Sequence, residues 1–213
     1  MRLPMRKRIG LLTGLGKSMK DLASIVNFLF EVGILAKTPR SGFYFLGSGN
    51  QSVAEHIHRV IFIGYVLSTM APQASQVKVI KMCLFHDLAE ARISDLNYVH
   101  QKYAKADESQ ALSDLSKTLP FGEELIAIVN EYNAKETLEA KLAKDADQLE
   151  WIMSLKEQVD TGNSRAESWI PSVIKRLQTE AAQKLAEIII KTPSDNWWFS
   201  DKNSEWRISK KKD

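Results

Sequence analysis

Cysteine occurs once in these 213 residues, at Cys83, so no intrachain disulfide framework exists. A chain without disulfides suits a reducing, cytoplasmic setting. Cys83 itself lies in the apolar stretch MCLF and reads as a small buried hydrophobe. Long apolar runs are also missing. ASIVNFLFEVGILA is interrupted by Glu31 and VIFIGYVLSTMA is too short, whereas a membrane helix needs roughly 18 or more uncharged apolar residues. There is little charge of one sign: the formal net charge is +3, and much of the excess sits at the ends, in MRLPMRKR and SKKKD. These ends read as solvated tails rather than as the basic face that a nucleic-acid binder presents on its folded body. Alternating apolar and polar residues, internal repeats and low-complexity tracts are absent.

Two N-terminal imitations are set aside. Basic residues followed by IGLLTGLG loosely resemble a secretory signal, but the apolar part is short, glycine-rich and lacks an A-x-A-like site. GLLTGLGKS nearly spells a phosphate-binding loop, but the spacing from Gly10 to Gly16 is one residue too long and no strand precedes it. Residues 1–18 are therefore expected to be a flexible extension, residues 19–200 one domain, and residues 201–213 a basic tail.

What is present is helical periodicity. Met19–Ala36 carries a broad stripe of Leu22, Ile25, Val26, Phe28, Leu29, Val32 and Leu35. TPRSGFYFLGSGNQ follows as a loop. Ser52 and Glu55 form a capping box for a helix to about Met70. Further helices are predicted from Ser75 to about Arg92, Lys105 to Thr118, Glu123 to Lys135, Leu138 to Val159 and Pro171 to Ile190. The expected architecture is a single all-α domain, a helical bundle.

The chemistry gathers in three places. His86 and Asp87 lie side by side, followed by Glu90 and Asp95, in KMCLFHDLAEARISD. On one helix, spacings of three and four would bring His86, Asp87 and Glu90 to the same side. An imidazole nitrogen beside a carboxylate offers mixed ligation to a divalent first-row cation. His56, in SVAEHIHR, lies next to the apolar side marked by Val53, Ile57 and Val60, while His58, Glu55 and Arg59 are expected to lean outward. In EAKLAKDADQLEWI, Leu142, Ala146, Leu149 and Ile152 trace a buried stripe. Asp147 lies among small residues at its edge, and Asp145, nearer Lys141 and Lys144, is expected to be solvated. Each fragment alone also has a bland reading: a surface salt-bridge cluster, a satisfied core histidine, or an aspartate paired with a lysine.

Together, SVAEH, FHDLAEARISD and EAKLAKDADQLE resemble, in order, the three blocks of the HD-domain metal-dependent phosphohydrolases, and more narrowly their 5'-deoxynucleotidase branch. The likeness spans roughly residues 20 to 200, including PRSGF and the terminal tryptophan-rich segment. It implies an HD-type bundle with a central metal site whose ligands are His56, His86, Asp87 and Asp147. It also implies Glu90 and Asp95 as the catalytic acids, Arg40 as the arginine of a substrate loop, and Glu131 as a substrate-side acid. Phe43 stands where the family often has tryptophan, and is expected against the sugar. The implied cofactor is one divalent transition metal ion (manganese, cobalt, iron, nickel or zinc), the partner a small-molecule nucleotide, and the assembly a homodimer. Other HD chemistries act on triphosphates, cyclic nucleotides or alarmones, and a metal could instead clamp a non-catalytic binding module. Glu90 and Asp95 favour catalysis, because a structural clamp does not need them. A nucleic-acid binder would use Trp197, Trp198 and Trp206 near Lys202 and Arg207; the simpler role of these tryptophans is to fold the tail back over the bundle.

Overall fold

A serine hydroxyl begins the helix that carries His56. In the computed structural model, which describes residues 19–199, Ser52 Oγ accepts the Glu55 N–H and the Glu55 carboxylate accepts the Ser52 N–H, the reciprocal box the sequence spells. Helix α1 covers Met19–Val32 and α2 Val53–Met70. The chain continues through α3 (Gln76–Phe85), α4 (Glu90–Ile93), α5 (His100–Tyr103), α6 (Glu108–Ser116) and α7 (Gly122–Ala134). The described residues close with α8 (Leu138–Asp160), α9 (Ser164–Ile174), α10 (Glu180–Lys191) and the single turn α11 (Asn196–Phe199). Short 3-10 helices cover Gly33–Ala36 and Ser41–Phe45. Among the described residues the only β pairing is an isolated bridge between Pro39 and Ser52. The expected N-terminal extension, with its glycine-rich imitation of a phosphate loop, and the basic tail with Trp206 lie outside the described residues.

Helix α8 is the axis of the bundle: α2, α3, α7, α9 and α10 all pack on it. It is apolar on more than one face, with Ala140, Leu142, Ala143, Ala146, Leu149, Ile152 and Leu155 fully buried. Helices α2 and α3 cross where Gly64 meets Cys83: a Cβ on Gly64 would lie 2.5 Å from the Cys83 sulfur. That close approach sets the distance between the helix carrying His56 and the helix leading to His86. The core forms two clusters. Helix α2 contributes Val60 and Leu67 to one, and Val53 and Ile57 to the other.

Several expectations are corrected. The helix predicted through Arg92 stops at Phe85; residues 86–89 form turns, and α4 restarts at Glu90. His86 and Asp87 thus sit in the turns that link α3 to α4, and the His86 Nδ1 bonds back to the Cys83 carbonyl at 2.9 Å. The helix predicted from Pro171 to Ile190 is two helices. Asn163 caps α9 through the Arg165 and Ala166 N–H groups, and Thr179 caps α10. Asp145 is buried, not solvated: its carboxylate accepts the Gln178 and Thr179 N–H groups and the Thr179 hydroxyl, at 2.7–2.9 Å. Part of the α1 stripe is uncovered, since Val26 and Leu29 are exposed. Trp197 and Trp198 are exposed too and do not fold back over the bundle.

Candidate active site

Four elements deliver the polar cluster. Helix α2 supplies His56, the turn after α3 supplies His86 and Asp87, α8 supplies Asp147, and the loop before α2 brings Arg40. Ligand-type atoms of His56, His86 and Asp147 all lie within 4.8 Å of one another. The Asp87 Oδ2 closes the group, 3.5 Å from His56 Nε2 and 3.2 Å from His86 Nε2, while Asp147 Oδ1 is 3.3 Å from His56 Nε2. Both Nε2 atoms are buried without a hydrogen-bond partner. Two buried, unpaired imidazole nitrogens facing two carboxylates fit a divalent cation, the partner that satisfies all four at once.

The other ring nitrogens are already committed. His56 Nδ1 meets the fully buried Glu150 Oε2 at 2.6 Å, and His86 Nδ1 meets the Cys83 carbonyl. Such contacts orient an imidazole and direct its Nε2 at the site. Glu150 is held in turn by Arg59 at 3.0 Å, Gln51 at 2.7 Å and Ser154 at 3.0 Å. Arg59, expected to lean outward, is therefore part of the support. Burial alone would raise the Glu150 carboxyl, but His56, Arg59 and Gln51 hold it down at about 2. Burial and Arg40 press His56 towards neutrality, yet the neighbouring carboxylates of Asp147 and Glu150 prevail and lift it to about 9.

Asp147 also receives Lys144 Nζ at 2.8 Å and Gln148 Nε2 at 3.1 Å on its Oδ2. Burial opposes its ionisation, but Lys144 and His56 hold it well below the ordinary carboxylate range. Glu90 behaves in the opposite way. Burial and the neighbouring charges of Asp87 and Asp95 push it up to about 10 against the pull of Arg40, and its Oε2 is buried without a partner. One acid is thus set to keep a proton in the same site where Asp147 is held ionised.

Arg40 faces the acids, 3.4 Å from Asp87 and 3.9 Å from Asp95. The Ser41 N–H donates to Asp95 at 2.8 Å, and Ser94, with a left-handed φ of 65°, turns the chain so that Asp95 reaches it. A cleft of about 770 Å³ opens here, lined by Arg40, Asp87, Asp95, Lys144 and Asp147, then by Trp151 and Trp169. Two expected residues lie elsewhere. Phe43 is buried behind Trp151, edge-on at 5.3 Å, and does not line the cleft. Glu131 is taken up by Lys78 at 2.9 Å and Thr137 at 2.7 Å, also off the cleft lining. Sequence reasoning missed Lys144, Glu150 and Trp151; the signal for the last was its position one helical turn after Asp147.

A helical bundle that gathers two histidines and two aspartates beside a cleft lined by both signs of charge has the donor set of a divalent-metal protein. Residues 32–189 match the HD domain, and the chain belongs to this family. A curated relative, the 5'-deoxynucleotidase HDDC2 of Bos taurus, is 28% identical over 152 residues, covering 68% of this chain and 73% of that protein. A conserved hypothetical protein of Pyrococcus furiosus has a similar structure, with a TM-score of 0.66 and 28% identity over 78% of this chain and 99% of that one. A predicted metal-dependent phosphohydrolase of Magnetospirillum magnetotacticum shares the fold, with a TM-score of 0.62 at 20% identity, over 81% and 94% of the two chains. Among the described residues no helix is long and apolar enough to cross a membrane.

Proposed function

We propose that the chain is a 5'-nucleotidase that hydrolyses deoxyribonucleoside 5'-monophosphates to nucleoside and phosphate. The observation that carries this reading is the pair of buried, unpaired His56 and His86 Nε2 atoms facing Asp87 and Asp147, which line the cleft. The likeness to a 5'-deoxynucleotidase supports the substrate class. His56, His86, Asp87 and Asp147 would hold one divalent ion from the series manganese to zinc; when bound it supplies charge neutralisation at the phosphate and an acidified water.

This chain's residues do the remainder. Arg40 presents a guanidinium, now against Asp87 and Asp95, for which a phosphate dianion is a better partner. Lys144 adds a second positive charge at the cleft wall. The charge of a bound cation would offset that of Asp87 and Asp95 and lower the proton affinity of Glu90, which would then take a proton from the attacking water. Asp95, fixed by the Ser41 N–H, is placed to deliver a proton to the departing 5'-oxygen. The homodimer, the cytoplasmic setting and the division into extension, domain and tail belong to the same proposal.

The test is phosphate release from matched deoxy- and ribonucleoside monophosphates, triphosphates and cyclic nucleotides, with several divalent metals. Turnover confined to the monophosphates supports the reading. Preference for triphosphates or cyclic nucleotides replaces it with another HD hydrolase, and metal binding without turnover of any substrate replaces it with a clamped binding module.

A further inference from the structure

The residue expected to wall the sugar, Phe43, does not reach the cleft, yet an indole stands where that wall would be. Trp151 follows Asp147 by one turn of α8, so the two side chains are neighbours on one face, and both line the cleft. Its ring is braced from several sides. Phe43 meets it edge-on from the core, with centroids 5.3 Å apart and planes at 82°. Trp169 continues the apolar surface at 6.4 Å. The substrate-loop backbone lies directly on it at Gly42, where a Cβ would be 3.1 Å from the indole Cη2. The missing side chain at position 42 is what lets the loop rest against the ring.

We propose that Trp151 forms the sugar wall of the cleft and sets the preference for deoxyribose over ribose, a proposal that rests on the nucleotidase reading above. Arg40 and Asp147 line the cleft together with Gly42, two residues further along the loop, and Trp151, one turn further along α8. A rise of one helical turn, about 5.4 Å, separates Asp147 from Trp151 along α8, a span that the 5'-oxygen and C5' of a nucleotide can bridge. A 2'-hydroxyl packed on this carbon surface loses water and gains no partner.

The residues beside the wall fit a sugar that keeps one hydroxyl. Gln148 and Ser41 line the same cleft, and both are buried. The Gln148 Nε2 is committed to Asp147, which leaves Oε1 as an acceptor without a partner; Ser41 Oγ is unpaired as well. Both ribose and deoxyribose carry the 3'-hydroxyl that would use such groups, so the discrimination falls to the wall.

The test compares kcat/KM for dAMP and AMP in the metal-loaded protein and in its Trp151→Leu, Trp151→Phe and Phe43→Leu variants. Equilibrium binding of both nucleotides is measured in parallel on Glu90→Gln forms of each. The expected result is a deoxy-to-ribo ratio that falls about tenfold in Trp151→Leu, less in Trp151→Phe, and stays within about twofold in Phe43→Leu, which loses thermal stability instead. An unchanged ratio in both Trp151 variants overturns the proposal, as does a wild-type ratio near one. If wild-type protein releases no phosphate from either nucleotide, the nucleotidase reading has failed, and the binding ratio decides: a deoxy preference lost in Trp151→Leu supports the wall. Binding of neither nucleotide overturns both.

Discussion

His56 Nδ1 and Glu150 Oε2 lie 2.6 Å apart with both residues fully buried, and this bond connects the core of the bundle to the candidate metal site. Glu150 fixes which nitrogen of His56 faces Asp87 and Asp147. Glu150→Gln is therefore expected to weaken divalent-metal affinity by about 10–100-fold, read by competition against a chelator. His56, at about 9 without metal, holds a proton at neutral pH, and a cation must displace it. Affinity should rise by about tenfold per pH unit between pH 7 and 9, and the dependence should flatten above that. In the metal-free protein, the same raised value stabilises the fold fully below about pH 6.5, and that contribution is lost as pH rises through about 9. Metal affinity independent of pH, or untouched in Glu150→Gln, would remove Glu150 as the positioning residue.

Asp145 and Asp147, two residues apart on α8, should separate cleanly. Asp145 bonds the backbone and hydroxyl at the start of α10 and touches nothing in the cleft. Asp145→Ala should cost about 1–3 kcal/mol in denaturant unfolding and leave metal content intact. Asp147→Ala should lose metal. Equal metal loss in both would mean that the helix, not one side chain, governs the site.

Gly64 lets α2 and α3 approach, since any Cβ there meets the Cys83 sulfur at 2.5 Å. Gly64→Val should destabilise by about 1–3 kcal/mol, and by altering the helix spacing should also weaken metal binding. Gly64→Val combined with Cys83→Ala should recover part of both. Additive losses in the double variant would show that the two residues do not share the contact.

Glu90→Gln keeps size and hydrogen-bonding capacity but removes the carboxylate. Turnover should fall by about 10²–10⁴-fold with metal content unchanged, measured by phosphate release beside elemental analysis. Near-normal turnover would assign the proton-accepting role to Asp95.

The bundle was legible because its signals are local. The Ser52–Glu55 box, the α7 and α8 boundaries and the buried stripe of α8 all follow from spacing along one element. The convergence of the three blocks was legible through order and resemblance, not through geometry: the helix assumed to align His86 with Glu90 ends at Phe85. What the sequence hid depends on contacts between elements far apart in the chain. Asp145 looks solvated until α10 packs its start against it, and Arg59 looks outward-facing until Glu150 and Glu157 meet it across α8. Phe43 looks like a cleft residue until the loop turns it into the core behind Trp151. Each miss is a long-range pairing that periodicity cannot encode.

In the proposed reaction, His56, His86, Asp87 and Asp147 hold the cation on which phosphate release depends. The direct measurement is phosphate release from dAMP by chelator-stripped protein, before and after titration with manganese or cobalt, beside Asp87→Ala treated identically. The expected result is no release from stripped protein, recovery that saturates near one metal per chain, and no recovery in Asp87→Ala. Full activity in demonstrably metal-free protein, or normal metal uptake and turnover in Asp87→Ala, would contradict it.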